Sequence, residues 1–413
     1  MSSNIPKLRF AEFGGDWQET DLGSIASFSK GKGISKSEIS KDGKIPCIRY
    51  GELYTQYSEI IDRAVSFTNS SEDLVYSEAN DVIIPASGET AIDISTASCV
   101  KESGIALGGD INIIKTKHNG VFLSYYLNSK KKQDIANLAQ GISVIHLYAN
   151  QLASLRVYLP DFSEEEKKSE EQDKIADFLA TVSKRIEGLE TMMDLQKRYK
   201  QGVMQRIFNQ TIRFKDNNGN PFPDWQEIRL GKAFKLQGGF AFKSEEFTDL
   251  GIPIIRISNI PIIGDNIDLS DCIYYEEIPN ELNFIVNNGD LVIAMSGATT
   301  GKTAIYRYPN KAYLNQRVGL FKLVDNNNHY PFIYHLVKST SFMTQLKSTL
   351  VAGAQPNISS KDIESFIVNF PEKDEQKKIA DFLSDLDAKI EATQKQLDAA
   401  REWKKGLLQK MFV

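Results

Sequence analysis

Along two stretches of the chain the apolar side chains return at alternating intervals of four and three residues. Ile379, Leu383, Leu386 and Ile390 lead into Thr393, Leu397 and Ala400, then Lys404, Leu407 and Met411. An earlier stretch repeats the spacing through Ile175, Leu179, Val182, Ile186, Leu189 and Met193, then Gln196, Lys200, Val203 and Ile207. That period is the seam of a heptad helix. At 1.5 Å rise per residue, about 35 residues make a helix roughly 50 Å long. A lone helix of that length cannot bury its stripe, so the two are expected to pack together, with a surface helix on each domain as the alternative. Elsewhere the pattern is shorter. The β-branched runs Val82 to Ile84, Ile111 to Ile114 and Phe366 to Val368 predict strands, and Phe122 to Leu127 and Phe332 to Lys347 predict helices, so the segments between the long helices read as mixed α/β.

The helical stretches are copies of one another. Residues 171–179 read EQDKIADFL and residues 375–383 read EQKKIADFL, differing only at Asp173 and Lys377, and the match continues without insertion through Asp194, Lys200, Gly202, Gln205 and Phe208 against Asp398, Lys404, Gly406, Gln409 and Phe412. A duplication fixes organisation before any secondary-structure reading. It extends, more weakly, into the segments that precede each helix. Asp16-Trp17-Gln18-Glu19 recurs at 224–227, Ile45-Pro46 with Ile48-Arg49 recurs as Ile252-Pro253 with Ile255-Arg256, and Ser87-Gly88 recurs as Ser296-Gly297. The expected division is a first domain over 1–170, a central helix over 171–208, a second domain over 209–374 and a C-terminal helix over 375–413.

Composition narrows the class without adding a site. A chain of 413 residues that is 41% hydrophobic has material for two or three cores. The net charge of −5 gives no global sign of a nucleic-acid partner, but Glu164, Glu165, Glu166, Glu170, Glu171 and Asp173 face only Lys167 and Lys168 and hold most of the excess. Basic patches remain available elsewhere. Cys47, Cys99 and Cys272 are odd in number and form no Cys-x-x-Cys pair, which argues for a reducing cytoplasm and against a disulfide framework or a zinc site. The start has no apolar signal core, and no run of about 18 apolar residues predicts a membrane span.

Two diverged domains alternating with two near-identical helices, each helix opening Glu-Gln-x-Lys-Ile-Ala-Asp-Phe-Leu, resemble type I restriction specificity subunits over essentially the whole chain. Pro6 to Phe10 and Trp225 to Gly231 resemble the family's domain starts. The resemblance implies α/β (α+β) target-recognition domains in tandem, separated by two long helices packing as an antiparallel coiled coil with a pseudo-two-fold. It implies a non-catalytic chain that reads double-stranded DNA, one half of a bipartite asymmetric target per domain. The helices would set the spacer and dock two methyltransferase subunits, and two motor-nuclease subunits would complete the assembly. S-adenosylmethionine, ATP and magnesium are then expected in the partners, with no cofactor in this chain.

Candidate DNA contacts are polar, basic or aromatic residues beside the predicted strands. Lys30, Lys32 and Lys36 around Gly31 and Gly33 are matched by Lys235 and Lys243 around Gly238-Gly239; lysines neutralise phosphate and glycines admit backbone to it, while ordinary solvated turns are the plainer alternative. Arg49 with Tyr50, and Arg256 with Ser258 and Asn259, follow the repeated Ile-Pro strand, where Arg can meet guanine and Asn adenine. Gln316, Arg317, and the loop with Gln355 and Asn357 are further candidates, the last paralleling Ser143, His146 and Tyr148.

Catalysis has little to stand on. Ser296 to Thr303 resembles a phosphate-binding loop, but three residues separate its glycines where the P-loop needs four, so a strand-end turn exposing Thr300 and Lys302 is the better reading. His118, His146, His329 and His335 lie at no metal-ligand spacing. A free-standing nucleotide-dependent enzyme and a coiled-coil scaffold without DNA are the rivals, and neither explains the duplication. The near-identity of the helices fits two identical docking surfaces or helix packing alone, and Lys174 and Lys378 are the exposed positions that would separate these.

Overall fold

The computed structural model describes residues 4–70, 72–160, 168–262, 264–278, 283–352 and 357–413, with the side chains of 168, 169 and 352 left out. Glu164, Glu165 and Glu166 of the acidic run therefore lie outside the described residues. The chain forms two compact units, Met1–Met192 with Thr393–Val413, and Met193–Ala392. The division passes through both long helices, a central one over Lys168–Phe208 and a C-terminal one over Lys373–Met411. Each unit thus holds one domain and part of each helix.

Within each unit the helix segments run antiparallel. In the first, the Thr393 hydroxyl lies 4.0 Å from the Met192 sulfur and the Phe178 ring meets Trp403 edge-on at 5.9 Å, so numbers rise on one helix as they fall on the other. In the second, Lys200 pairs with Asp387, and Val203 and Ile207 share a core with Leu383 and Leu386. Of the predicted seam, Ile175, Leu179, Val182, Ile186, Leu189, Ile379, Leu383 and Leu397 are buried, and Leu386 and Ile390 are half-buried. The seam is more than a coiled coil, because Ile379, Ala380 and Leu383 join the second domain's own core beside Phe332, Val368 and Phe370.

The two domains share a plan. In the first, one sheet takes the order Ala26–Lys30, Ile111–Thr116, Val82–Pro85, Ser98–Val100, Ile60–Ile61, and in the second the order is Phe234–Gly238, Val318–Leu323, Leu291–Ala294, Thr303–Ile305. A second sheet in each contains the repeated Ile-Pro strand, Ile45–Ile48 or Ile252–Ile255. That strand pairs in parallel with Ala106–Leu107 in the first domain and with Ala312–Leu314 in the second.

One predicted helix is broken. Phe332 to Lys347 divides into Tyr330–Leu336 and Thr340–Ala352, because the Ser339 hydroxyl accepts the Phe342 amide at 3.3 Å and so caps a new helix. The strand expected from Phe366 runs over Ile367–Phe370.

Each domain is fastened to its helices by the same joints. Arg9 donates to both oxygens of Glu171 at 2.7 and 2.8 Å, and Arg213 to both oxygens of Glu375 at 3.2 and 2.8 Å. Gln172 accepts the Asn119 amide at 3.1 Å, as Gln376 accepts that of His329 at 2.8 Å. Phe10 packs on Phe178, and Phe214 on Phe382. The Leu8 amide donates to the Lys410 carbonyl at 2.8 Å, as Ile212 does to Arg206 at 3.0 Å. These joints occupy the Glu, Gln and Phe of the repeated nine-residue motif, and Ile175, Ala176 and Leu179 with Ile379, Ala380 and Leu383 are buried. Its lysines are engaged too: Lys174 pairs with Glu12, and Lys378 donates to the Lys215 carbonyl at 2.7 Å. Packing inside each unit therefore engages the motif except for its aspartates, Asp177 and Asp381, which are exposed.

Candidate nucleic-acid interface

The repeated Ile-Pro strand ends, in both domains, in a short turn held by its own side chains. Glu52 accepts the Arg49 amide at 2.9 Å, and Asn259 accepts the Arg256 amide at the same distance. Asn259 is 2% exposed and spends its own amide on the Asp268 carbonyl, while the Arg256 guanidinium donates to the Asp271 carbonyl at 3.2 Å. Arg49 lies 3.5 Å from the buried Glu52. In these positions Arg49, Arg256 and Asn259 hold the turn; Tyr50 beside them is half-buried, and Ser258 is exposed.

The glycine-lysine turns divide in the same way. A side chain at Gly31 would meet the Gly108 carbonyl at 2.1 Å, and one at Gly239 the Leu314 carbonyl at 2.2 Å, so close backbone packing requires these glycines. Lys32 pairs with Asp73, Lys235 with Glu364 and Lys243 with Glu246, at 2.5, 2.9 and 3.0 Å. These lysines are more than half exposed, so the pairs are weak and a phosphate can replace the carboxylate. Lys30 and Lys36 are also exposed.

Three groupings emerge from the scattered candidates. In the first unit the His146 and Tyr148 rings stack at 6.2 Å, and the Lys30 ammonium lies 5.8 Å from the centre of the Tyr148 ring, with Ser143 exposed on the adjoining hairpin. In the second unit Gln316, Arg317 and Asn357 line a cleft of about 490 Å³ with Ser296 and Gly297. The Ser296 hydroxyl in that cleft is buried with no partner among the described residues. Gln355 lies outside the described residues. The third grouping has no counterpart among the sequence candidates: a cavity of about 540 Å³ in the first unit is lined by Lys130, Arg401, Lys404 and Lys405 against Glu59. Burial and then Lys7 hold the Lys130 ammonium below its usual range. No single segment carries this cluster, so its one sequence signal is the Arg401, Lys404 and Lys405 spacing on a single helix.

The phosphate-loop resemblance ends in a hairpin. Ser296 to Lys302 joins the antiparallel strands Leu291–Ala294 and Thr303–Ile305. The Thr300, Gly301 and Lys302 amides donate to the carbonyls of Gly297, Ala294 and Thr299, so they are spent on the turn and point at no phosphate. The Thr300 hydroxyl donates to the Gly297 carbonyl at 2.6 Å, and Lys302 is exposed. Among the described residues no group of three His, Cys, Asp or Glu side chains could hold a metal ion, and no helix is long and apolar enough to cross a membrane.

The model of the type I restriction modification DNA specificity domain matches twice, over residues 14–193 and 223–401. The chain belongs to this family. Among its relatives, the type I restriction enzyme MjaVIII specificity subunit of Methanocaldococcus jannaschii is 24% identical over 408 residues, covering 95% of this chain and 91% of that one. The EcoKI specificity subunit of Escherichia coli strain K12 is 21% identical over 402 residues, covering 93% and 85%. The crystal structure of the type I S subunit from M. genitalium shares the fold with a TM-score of 0.67, at 18% identity and 99% coverage of both chains. A specificity subunit is the DNA-recognition part of a type I restriction-modification system, and both matches to the family model include one of the repeated domains and most of one helix.

Proposed function

We propose that each domain reads one half of a bipartite, asymmetric DNA target, and that the two long helices set the gap between the halves and carry two methyltransferase subunits. The observation that carries this reading is the contrast between joints and loops. Arg9–Glu171 and Arg213–Glu375 repeat the same joint, whereas the surface groups differ: exposed Lys30 and Tyr148 with half-buried His146 in one domain, exposed Gln316, Arg317 and Asn357 in the other. Equal mounting with unequal surfaces suits two readers of different sequences. A similar structure, with a TM-score of 0.54, concerns complex assembly and conformational transition of the type I R-M system. On this reading the chain works in the cytoplasm with two motor-nuclease subunits in the full complex, and directs both adenine methylation and restriction. S-adenosylmethionine, ATP and magnesium belong to the partners.

The test is single-molecule sequencing of methylated adenines in DNA exposed to the chain with its methyltransferase. Two short half-sites with a fixed gap are expected. A continuous motif, or none, overturns the reading.

A further inference from the structure

The loop that supplies Ser143 and His146 is a pinned hairpin with an apolar tip. Its base is closed by the Gln140 amide on the His146 carbonyl at 2.9 Å and the return bond at 2.7 Å. Ile145 and His146 then pair with Gly88 and Ser87, and the buried Asn112 amide donates to the Leu147 carbonyl at 2.9 Å. On this anchored base Ile142 is 101% exposed and Val144 51%. Single exposed apolar residues are ordinary, but two flanking the tip of one hairpin pinned at its base make a projection. Beside it stand the Tyr148 and His146 rings and Lys30, for which no carboxylate partner is found among the described residues.

We propose that this hairpin enters a groove of the duplex, with Ile142 and Val144 pressed against a base step in the half-site read by the first domain. The inference rests on the DNA-reading function above. A projection fits a groove better than a flat protein surface, and the neighbouring cation and rings suit phosphate and base rather than an apolar protein face. Apolar wedges at a base step partly unstack it, most easily at pyrimidine-purine steps.

The experiment uses the chain assembled with its methyltransferase and duplexes carrying 2-aminopurine at successive steps of that half-site. Wild type is expected to raise fluorescence at one step. Ile142→Ser should abolish the rise and weaken binding about tenfold, with an unchanged unfolding temperature because the side chain is fully exposed. Lys30→Ala should reduce the salt dependence of binding by about one phosphate contact. Unchanged affinity and fluorescence in Ile142→Ser overturn the proposal while leaving the methylated motif intact. Loss of methyltransferase assembly with normal DNA binding also overturns it, by making the hairpin a protein contact. A wild-type complex with no bipartite motif removes the reading itself.

Discussion

His335 shows how a single side chain records the environment that folding builds around it. It is fully buried in the second unit with Nε2 3.2 Å from the Ser384 hydroxyl, and burial, then the Lys200 and Lys338 charges, push its imidazole from 6.5 down to about 3. The folded state therefore keeps it neutral where the unfolded chain would protonate it. Stability from this group is complete above pH 6.5 and falls by about 1.4 kcal/mol per pH unit as the pH drops towards 3. Urea unfolding at a series of pH values should show this slope, and His335→Asn should flatten it. At this scale sequence reasoning was weakest. Arg256 and Asn259 have the chemistry of base readers, but whether a side chain turns outward depends on carbonyls and amides brought near by folding, here those of Asp268 and Asp271.

Among the elements, the long helices were legible because a seam is a property of spacing alone. Their fastening was not, since Arg9 and Glu171 are 162 positions apart, as are Arg213 and Glu375. The Glu375 side chain is fully buried, and it also accepts the Trp225 indole N–H at 2.9 Å. Arg213→Ala leaves that carboxylate without its cation and should cost about 3–5 kcal/mol. Arg213→Met combined with Glu375→Leu should recover most of the loss, because an apolar pair leaves no buried charge. Thermal unfolding of the two variants checks both statements, and equal stabilities would contradict them. The broken helix at Val337–Ser339 has a local cause that the sequence did carry, a serine able to cap, but the apolar period continues across it and hides the stop.

For the whole molecule, the proposed function makes helix length the quantity to vary. One heptad inserted near Gln196 should leave both half-sites intact and alter only the gap between them, as read from methylated adenines; altered half-sites would contradict the ruler role. The sequence by itself determined that there are two domains and two copies of one helix, because a duplication and a heptad period survive in linear order. It also pointed to the family, through two diverged domains alternating with two copies of a helix that opens on the nine-residue motif. Only the tertiary structure decided which side chains of the motif pack within each unit, that Arg49, Arg256 and Asn259 hold their own turns, and that Ile142 projects on a pinned hairpin. The physical reason is the same in each case. Periodicity is written along the chain, whereas burial and hydrogen-bond partners come from segments that meet only after folding.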